Sequence, residues 1–372
     1  MLSFMLNSLL RVSYKKCIFA SESDDIAKPV KSNKILDSIK LQNNKVLIRR
    51  LSEAEKIVLV SHVNPDGDAI GSALAIHHYL KNFGKTSHVI MPNDYPDFLK
   101  WLPGSEEVII FTLNETEAKY VLADSDFIFL LDFNNPERAG KIKDLINRGK
   151  VFKVMIDHHP NPSEFADIAY CDILSSSTAE LVFRFIEMAG NPELVDNIIA
   201  TCLYTGIMSD TGSFSYNSSQ PETYRVLSEL LKKGIDKDYI YSMVYDNFSE
   251  DRLKLLGYCL DRKMTVLADY KTAYISLTIK EKKQYNYTRG DAEGFVNYPL
   301  SIKGINFVAF FMENDDHVKI SFRSKGKFDT NDFAFKNFNG GGHMNASGGE
   351  SKLSLDDTIN KFISLLPDIH VD

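Results

Sequence analysis

Short runs of consecutive apolar residues alternate with amphipathic helical stretches through the first two thirds of the chain. The run Ile57–Val60 is apolar and β-branched, and similar runs occupy 127–131 and 152–156. Uninterrupted apolar runs of about four to eight residues are typical of strands that are buried on both faces. Between the runs, apolar side chains recur at helical spacing, as they do from Ser177 to Met188. This alternation predicts an α/β domain with a mostly parallel sheet and helices on both faces.

The last third of the sequence predicts a second, smaller domain of mixed α/β type. Residues 222–263 have helical spacing with no strong strand, and strands are predicted at 272–279, 307–312 and 318–322. A glycine-rich loop at 339–343 and a C-terminal helix follow. The predicted divisions are a disordered N-terminal extension at 1–34, a parallel-sheet domain at 35–240, a helical connector at 241–265 and a mixed domain at 266–372.

The charge and cysteine content exclude several classes of protein. A chain of 372 residues is long enough for about two domains, and 43 basic against 50 acidic residues give a net charge of −7. This balance argues against a protein that coats long nucleic acid through a basic face. The four cysteines are far apart without a CxxC pair, which predicts free thiols in a reducing compartment, the cytoplasm. No apolar run is long enough to span a bilayer, so no membrane partner is predicted.

Polar residues cluster where the predicted strands end. In open parallel sheets, the loops at the carboxyl ends of the strands form the ligand crevice. Side chains that separate segments deliver to this edge can therefore converge on one point. They are His62, Asp66 and Asp68 after the first strand, Asp132 after the second, Asp157, His158 and His159 after the third, and Asp210 after a predicted helix.

This set of carboxylates and imidazoles has the chemistry of a metal centre. Oxygen ligands mixed with imidazole suit Mn²⁺, Mg²⁺ or Fe²⁺ better than a thiolate zinc site does. The groups are more numerous than one ion needs. They fit two ions that lie roughly 3.5–4 Å apart and share a bridging carboxylate. Because two such ions activate water and neutralise charge on phosphate oxygens, the sequence predicts hydrolysis of a phosphate ester.

Each of these residues also has a structural interpretation. An Asp after a strand is often a helix N-cap, and this alternative is open for Asp66 and Asp210. Asp68 could favour a helix dipole, and Asp132 could belong to a turn. A structural role is preferred for the pair His77-His78 on the predicted helix. The joint occurrence of a His-x-x-x-Asp-x-Asp run and an Asp-His-His run after strands of one sheet favours metal binding.

Four motifs in this order resemble those of the DHH phosphoesterase superfamily. They are His62-Val63-Asn64-Pro65-Asp66-Gly67-Asp68, then Asp132, then Asp157-His158-His159, and then Asp210-Thr211-Gly212. The second domain is similar to the DHH-associated substrate-binding domain through Arg323-Ser324 and Gly340-Gly341-Gly342-His343. The resemblance extends from about Lys34 to the C-terminus. It implies that 35–240 is the catalytic domain and that 266–372 binds the substrate.

The resemblance implies a role for each residue of the centre. His159 would face the substrate, as a phosphate contact or as the acid that assists the leaving group. Asp157 would orient a neighbouring histidine, which fixes the tautomer and direction of its ring. Two divalent ions are implied, most often Mn²⁺, with Mg²⁺ and Fe²⁺ as alternatives. The implied ligands are His62 and Asp66 for one ion, Asp68, His158 and Asp210 for the other, and Asp132 for both.

Substrate contacts are implied in the second domain. A glycine-rich loop lets backbone N–H groups approach an anion closely, and an arginine can bind a phosphate in bidentate fashion. The alternatives are a tight turn and a solvated surface arginine. The implied contacts are Arg323, Ser324, Gly340, Gly341, Gly342 and His343.

Within the superfamily, the two-domain layout most resembles the nano-RNases and 3′-phosphoadenosine 5′-phosphate phosphatases. The implied substrate is short RNA or a nucleotide rather than long nucleic acid. Hydrolysis of a cyclic or linear dinucleotide is the alternative activity, and exopolyphosphatase activity ranks lower. The alternative of another class is a catalytically inactive, nucleotide-binding regulatory module. A homodimer is expected from base rates alone.

Overall fold

The computed structural model describes residues 34–148 and 151–371. The chain divides into two compact units, the first ending at Val244 and the second beginning at Tyr245. Residues 1–33 of the predicted disordered extension lie outside the part of the chain that the structure describes. The boundaries predicted at 240 and 265 remain predictions. The predicted connector 241–265 contains a helix and the start of a strand.

The first unit is built on a parallel six-stranded sheet. Its two central strands are apolar and fully buried, as the uninterrupted apolar runs predicted. Each described neighbouring pair of strands is parallel. The strands are β1 (Ile57–Val60), β2 (Ser87–Met91), β3 (Ile109–Ile110), β4 (Phe127–Leu131), β5 (Phe152–Asp157) and β6 (Ile168–Cys171), in the spatial order β3-β2-β1-β4-β5-β6.

Helices cover both faces of this sheet. Alternate residues of β4 face opposite sides, because successive side chains of a strand point to opposite faces. Ile128 packs in one core cluster with Leu122, whereas Phe129 stacks edge-to-face on Phe185 from the other side, with ring centroids 5.8 Å apart. The helices are α1 (Lys34–Glu53), α2 (Gly67–Asn82), α3 (Glu115–Asp124), α4 (Lys143–Ile146), α5 (Thr178–Ala189), α6 (Asn197–Asp210), α7 (Pro221–Leu231) and α8 (Lys237–Tyr245). The predicted α/β class is confirmed.

Helices α2, α5 and α6 approach one another closely at two glycines. A Cβ added at Gly71 on α2 would lie 2.6 Å from the carbonyl oxygen of Cys202 on α6. A Cβ at Gly206 on α6 would lie 2.6 Å from the Cβ of Ala179 on α5 and 3.1 Å from Oδ1 of Asp68. The three helices therefore leave no space for further side chains here, which brings the start of α5 against the start of α2.

The second unit contains a mixed six-stranded sheet with a core on each face. Phe307 and Phe322 lie in one core cluster, and Ile275 and Phe310 lie in the other. Strands β8 and β9 are parallel and the other described pairs are antiparallel. The strands are β7 (Met264–Leu267), β8 (Thr272–Leu277), β9 (Phe307–Glu313), β10 (Val318–Ser324), β11 (Gly341–His343) and β12 (Ala346–Ser351), in the spatial order β11-β12-β10-β9-β8-β7. The helices are α9 (Glu250–Tyr258), α10 (Ile279–Gln284), α11 (Thr330–Asn337) and α12 (Leu355–Leu365).

The glycine-rich segment predicted as a loop is a strand over most of its length. Gly341–His343 forms β11 and pairs with β12 through Gly348, Ser347 and Ala346. A Cβ at Gly340 would collide with the carbonyl oxygen of Gly348, and one at Gly342, where φ is +150°, would lie 2.6 Å from that of Ala346. The glycines are thus required by the close approach of two backbones, which a single sequence does not reveal.

None of the helices in the described part of the chain is both long enough and apolar enough to cross a membrane.

Candidate active site

The loop after β1 delivers the first group of polar side chains. Ser61 donates a hydrogen bond to the carbonyl oxygen of Leu131 (2.8 Å), which ties this loop to the end of β4. Asp66 caps α2, because its Oδ1 accepts hydrogen bonds from the backbone N–H groups of Asp68 and Ala69, both at 3.1 Å. The N-cap alternative for Asp66 is therefore observed. The same carboxylate also lies in a group of candidate ligands with His62 and Asp132.

Asp132 directly follows β4 and has a left-handed backbone, with φ at +66°. A non-glycine residue in this conformation is uncommon and often marks a functional position. Its Oδ2 lies 3.2 Å from Nε2 of His62, and its Oδ1 lies 3.7 Å from Nε2 of His158. The two oxygens of this buried carboxylate thus face two different groups of side chains.

The second group of candidate ligands surrounds His158 at the end of β5. Its Nε2 lies 3.8 Å from Oδ2 of Asp68 and 3.6 Å from Oδ2 of Asp210. Asp210 is the last residue of α6, whereas the sequence places it after a predicted helix. Burial lowers the pKa of His158, which favours the neutral imidazole that binds metals.

Asp157 and His159 form a third contact at the same sheet edge. Oδ1 of the fully buried Asp157 lies 2.7 Å from Nδ1 of His159, so the ring nitrogen donates to the carboxylate. Such a hydrogen bond fixes the tautomer and direction of an imidazole. This contact is compatible with the orienting role that the family resemblance implies for Asp157.

The spacing and chemistry of these groups fit divalent metal ions. Ligand atoms that each lie about 2.1 Å from a shared ion are roughly 3–4 Å from each other. In each group, one ligand atom per residue lies within 4.8 Å of the others. Three such groups lie among the described residues of the first unit: His62, Asp66 and Asp132; Asp68, His158 and Asp210; and Asp132, Asp157 and His159. All eight polar residues predicted at the strand ends are therefore brought together in the first unit.

The charges of the carboxylates also fit bound cations. Burial raises the pKa of Asp68 well above its ordinary value, and the negative charges of Asp132 and Asp210 raise it further. Burial likewise raises the pKa of Asp157. For Asp132 burial acts in the same direction, but the hydrogen bond from His62 and its charge outweigh it and lower the pKa to about 2. This excess of buried negative charge is what divalent cations neutralise.

Only some of the substrate contacts predicted in the second unit lie on the same face of its sheet. Arg323 on β10 and His343 on β11 both pair with Ala346 on β12, so the three lie in one row across the sheet. Ser324 is the next residue along β10 and points to the opposite face. There its hydroxyl donates to the carbonyl oxygen of Phe328 at 2.7 Å. The side chain of Ser324 therefore does not lie on the same face of the sheet as that of Arg323.

Two residues with positions relevant to the site were not identified from the sequence. Thr178 is fully buried and its hydroxyl donates to Oδ1 of Asp132 at 2.9 Å. Lys319 lies four residues before Arg323 on β10, so strand alternation places it on the same face. That period-two spacing is a signal that sequence reasoning could have used for Lys319. No local pattern predicts the contact of Thr178.

The histidines of α2 have the structural role that their helical position predicts. Nδ1 of His77 lies 2.9 Å from Oγ of Ser87, and Nε2 of His78 lies 2.9 Å from the carbonyl oxygen of Pro103. Both rings therefore link α2 to neighbouring segments rather than to the candidate ligands.

Comparison with known proteins relates both units to described families. Residues 56–207 match the DHH family, N-terminal domain, and residues 269–369 match the DHHA1 domain. The bifunctional oligoribonuclease and PAP phosphatase NrnA of Thermus thermophilus is 29% identical over 308 residues, covering 82% of this chain and 88% of that protein. The cyclic-di-AMP phosphodiesterase GdpP of Bacillus subtilis is 26% identical over 322 residues, or 84% of this chain and 47% of that protein.

A solved structure with high similarity comes from Bacteroides fragilis and is described as an exopolyphosphatase-related protein. It is 45% identical, covers 88% of this chain and 96% of its own, and superposes with a TM-score of 0.84. Similarity thus extends over both units, and the matched range 56–207 includes the polar segments from His62 to His159.

Proposed function

The chain belongs to the DHH family, and from this premise we propose that it is a two-metal phosphoesterase acting on short nucleotide substrates. Its reactions are release of mononucleotides from short oligoribonucleotides, dephosphorylation of 3′-phosphoadenosine 5′-phosphate to AMP, or both. The similarity to NrnA, a bifunctional oligoribonuclease and PAP phosphatase, supports this assignment. The net charge of −7 agrees with a short substrate, because long nucleic acid is bound through extended basic surfaces.

The observation that carries the proposal is the position of Asp132. Its Oδ2 faces His62 at 3.2 Å, and its Oδ1 faces His158 at 3.7 Å. A carboxylate whose two oxygens face two neighbouring groups of ligands suits a pair of closely spaced ions. The structural alternative for Asp132, that it is only a turn residue, does not explain why both of its carboxylate oxygens face imidazoles.

The ligand assignment follows the group around His62 and the group around His158. His62 and Asp66 would hold one ion, and Asp132 would be a ligand of both ions. When bound, the pair supplies an activated water and neutralises charge on the phosphate oxygens. We assign Mn²⁺ as the metal, and Mg²⁺ and Fe²⁺ are alternatives with the same ligand preference. Asp68, His158 and Asp210 would hold the second ion.

The remaining polar residues are assigned to the substrate. Asp157 holds the ring of His159, which either contacts the phosphate or donates a proton to the leaving oxygen. In the second unit, Arg323 binds a phosphate through its guanidinium, and His343 lies in the same row of the sheet. The backbone N–H groups of Gly340 and Gly342 already donate to the carbonyl oxygen of Ala334 at 3.3 Å and to Oδ1 of Asn331 at 2.8 Å, so we do not assign them to anion binding. Ser324 supports the end of the strand that carries Arg323.

Hydrolysis of a cyclic or linear dinucleotide is the second candidate activity. The specific support is the similarity to a cyclic-di-AMP phosphodiesterase over 84% of this chain. The alternative of another class is a nucleotide-binding regulatory module without turnover. Against that module, each of the six predicted ligands lies in a group with metal-ligand spacing.

A turnover panel with Mn²⁺ tests the proposal. Its substrates are RNA of two to five nucleotides (about the length of a nano-RNA), 3′-phosphoadenosine 5′-phosphate, cyclic di-AMP and polyphosphate. We expect His158→Ala and Asp210→Ala to lower kcat at least about 10³-fold on the preferred substrate, because each removes a ligand. His317→Ala, at a histidine that pairs with Asp316 in the second unit, is the matched control. Full turnover in both ligand variants, or binding without turnover in the unmodified protein, would contradict the assignment.

Two further proposals concern the setting of the protein. We place it in a reducing compartment, the cytoplasm, and the free thiols of Cys171, Cys202 and Cys259 support this. Assembly as a homodimer stays a prediction from base rates.

A further inference from the structure

The first turn of α5 contacts two candidate metal ligands that come from other segments. The backbone N–H of Thr178 donates to Oδ2 of Asp68 at 2.6 Å, and that of Ala179 donates to Oδ1 at 2.8 Å. The hydroxyl of Thr178 donates to Oδ1 of Asp132 at 2.9 Å. All of these groups are buried, and three hydrogen bonds from two consecutive residues therefore fix two carboxylates.

The backbone donors are those that a helix leaves without partners. The first N–H groups of an α-helix have no intrahelical acceptor, and they carry the positive end of the helix dipole. A carboxylate that accepts two of them is fixed in rotation as well as in position, and hydrogen bonds to a charged acceptor are stronger than neutral ones. Asp68 is therefore held in one orientation by α5, although it belongs to α2.

A buried glutamate holds the turn that precedes this helix start. Oε2 of Glu180 accepts hydrogen bonds from the backbone N–H of Ser176 at 3.1 Å and from its hydroxyl at 2.6 Å. It also accepts one from the hydroxyl of Thr223 on α7 at 2.8 Å. Ser177 caps α5 by accepting from the N–H of Glu180 at 3.1 Å. The start of α5 is thus connected to α7 as well as to its own first turn.

We infer that Thr178 is a positioning residue for the metal pair, whose hydroxyl directs the carboxylate of Asp132 so that its two oxygens face the two ligand groups. The inference rests on the proposed two-metal function, because it concerns how the ligands are oriented. Without the hydroxyl, the Asp132 carboxylate can rotate away from the direction in which Oδ1 faces His158. The backbone contacts to Asp68 remain, so the effect centres on the shared carboxylate.

Substitutions at Thr178 separate this role from packing. Thr178→Val keeps the shape and the backbone donors but removes the hydroxyl, and Thr178→Ser keeps the hydroxyl. The matched control is Thr205→Val on α6, because Thr205 is equally buried and its hydroxyl donates only to a backbone oxygen, that of Thr201 at 2.8 Å. Thr178→Ala serves in place of the valine variant if that protein does not fold.

The measurement is Mn²⁺ binding to the chelator-treated full-length protein by calorimetry, with thermal unfolding recorded on the same samples. We expect Thr178→Val to weaken Mn²⁺ binding roughly 10–100-fold, which is the usual cost of losing a group that orients a ligand. Thr178→Ser and Thr205→Val should bind as the unmodified protein does. Electron paramagnetic resonance at two Mn²⁺ per chain should show less of the spin-coupled pair in Thr178→Val alone.

Three results would overturn the inference. Unchanged Mn²⁺ binding by Thr178→Val, with normal binding by the unmodified protein, rejects the positioning role and leaves the proposed function intact. Equal losses in Thr178→Val and Thr205→Val show a packing effect only. Absence of binding of Mn²⁺, Mg²⁺ and Fe²⁺ by the unmodified protein rejects the proposed function, and the inference with it.

Discussion

At the scale of single residues, the site depends on hydrogen bonds that fix the direction of each polar side chain. Asp157 is an example, because it is fully buried and its Oδ1 holds Nδ1 of His159 at 2.7 Å. A carboxylate in this position favours one tautomer and one ring orientation. Its contribution to turnover should therefore exceed its contribution to metal binding.

Asp157→Asn tests this division. We expect kcat to fall by roughly 10²–10⁴-fold, because an amide in place of the carboxylate favours the wrong tautomer of His159. The Mn²⁺ affinity should fall much less. Asp316→Asn is the matched control, since Oδ1 of Asp316 forms the same kind of pair with Nδ1 of His317 at 2.6 Å. Equal losses of kcat and Mn²⁺ affinity would show that Asp157 is itself a ligand.

Sequence reasoning identified the residues of the first unit that the structure brings together, because side chains at the ends of parallel strands converge by topology alone. It did not identify Thr178. The partner of that hydroxyl is Asp132, 46 residues earlier in the chain, and only the packing of α5 against the sheet brings the two together. The dual position of Asp66, as an N-cap and as a candidate ligand, was likewise open until the geometry was known.

At the scale of elements, continuous apolar runs predicted the buried strands well, and short or half-buried elements were missed. Strand β3 has two residues, and β6 is only partly buried, so neither produces a distinct apolar run. Helix α1 was also missed. Strand β11 consists of glycines and a histidine, a composition that predicts a loop. Its extended form comes from pairing with β12, which is tertiary information.

The glycines around β11 should be intolerant of alanine. Gly340→Ala places a methyl group on the backbone of Gly348, so we expect a loss of roughly 2–4 kcal/mol in the free energy of unfolding of the second unit. The KM for the nucleotide should rise while Mn²⁺ affinity is kept. Gly257→Ala on α9 is the control, because a Cβ there meets nothing within 4 Å. Urea unfolding of both variants measures the difference, and equal stability would contradict the close approach.

Helix α10 should make the second unit sensitive to acid. Thr278 and Glu281 form a capping box, and Glu281 also pairs with Lys263 at 2.8 Å. Burial raises the pKa of Glu281, but hydrogen bonds from Lys263, Tyr258 and Thr278 outweigh it and lower the pKa from 4.5 to about 2. Because the folded-state pKa is depressed, the stabilisation is complete above pH 4.5 and is lost as the pH falls towards 2.

Glu281→Gln should therefore be less stable than the unmodified protein at pH 7, by about 1–3 kcal/mol. The difference between the two proteins should shrink as the pH falls from 4.5 towards 2. Glu229→Gln, at a surface residue paired with Lys232, should change stability much less, because exposed ion pairs contribute little. Denaturant unfolding at several pH values measures both. A difference that does not depend on pH would contradict the depressed pKa.

At the scale of the whole molecule, the clustered carboxylates tie the stability of the first unit to its metals. Asp68, Asp132 and Asp210 repel one another in the absence of cations, and burial adds to the cost of their charges. Metal binding to the folded state alone stabilises it by mass action. The composition of the chain predicts the sign of its net charge but not this local concentration of negative charge.

Thermal unfolding with and without Mn²⁺ tests this coupling. We expect Mn²⁺ at 100 times its Kd to stabilise the first unit by about 2.7 kcal/mol for each site, and a chelator to reverse the shift. His158→Ala should reduce the shift, whereas Gly257→Ala in the second unit should keep it. If a chelator and added Mn²⁺ both leave the unfolding temperature of the unmodified protein unchanged, the carboxylates do not form a metal centre.

The left-handed backbone of Asp132, with φ at +66°, determines which inactivating substitution is best suited to trapping an uncleaved substrate. Asn adopts this conformation more readily than other non-glycine residues, whereas Ala would add strain to the loss of charge. Asp132→Asn therefore removes the shared negative charge with the smallest disturbance of the surrounding loop. A crystal of this variant grown with a dinucleotide should retain the intact phosphodiester. The contacts that the protein makes with the two bases would then reveal which nucleotides it prefers.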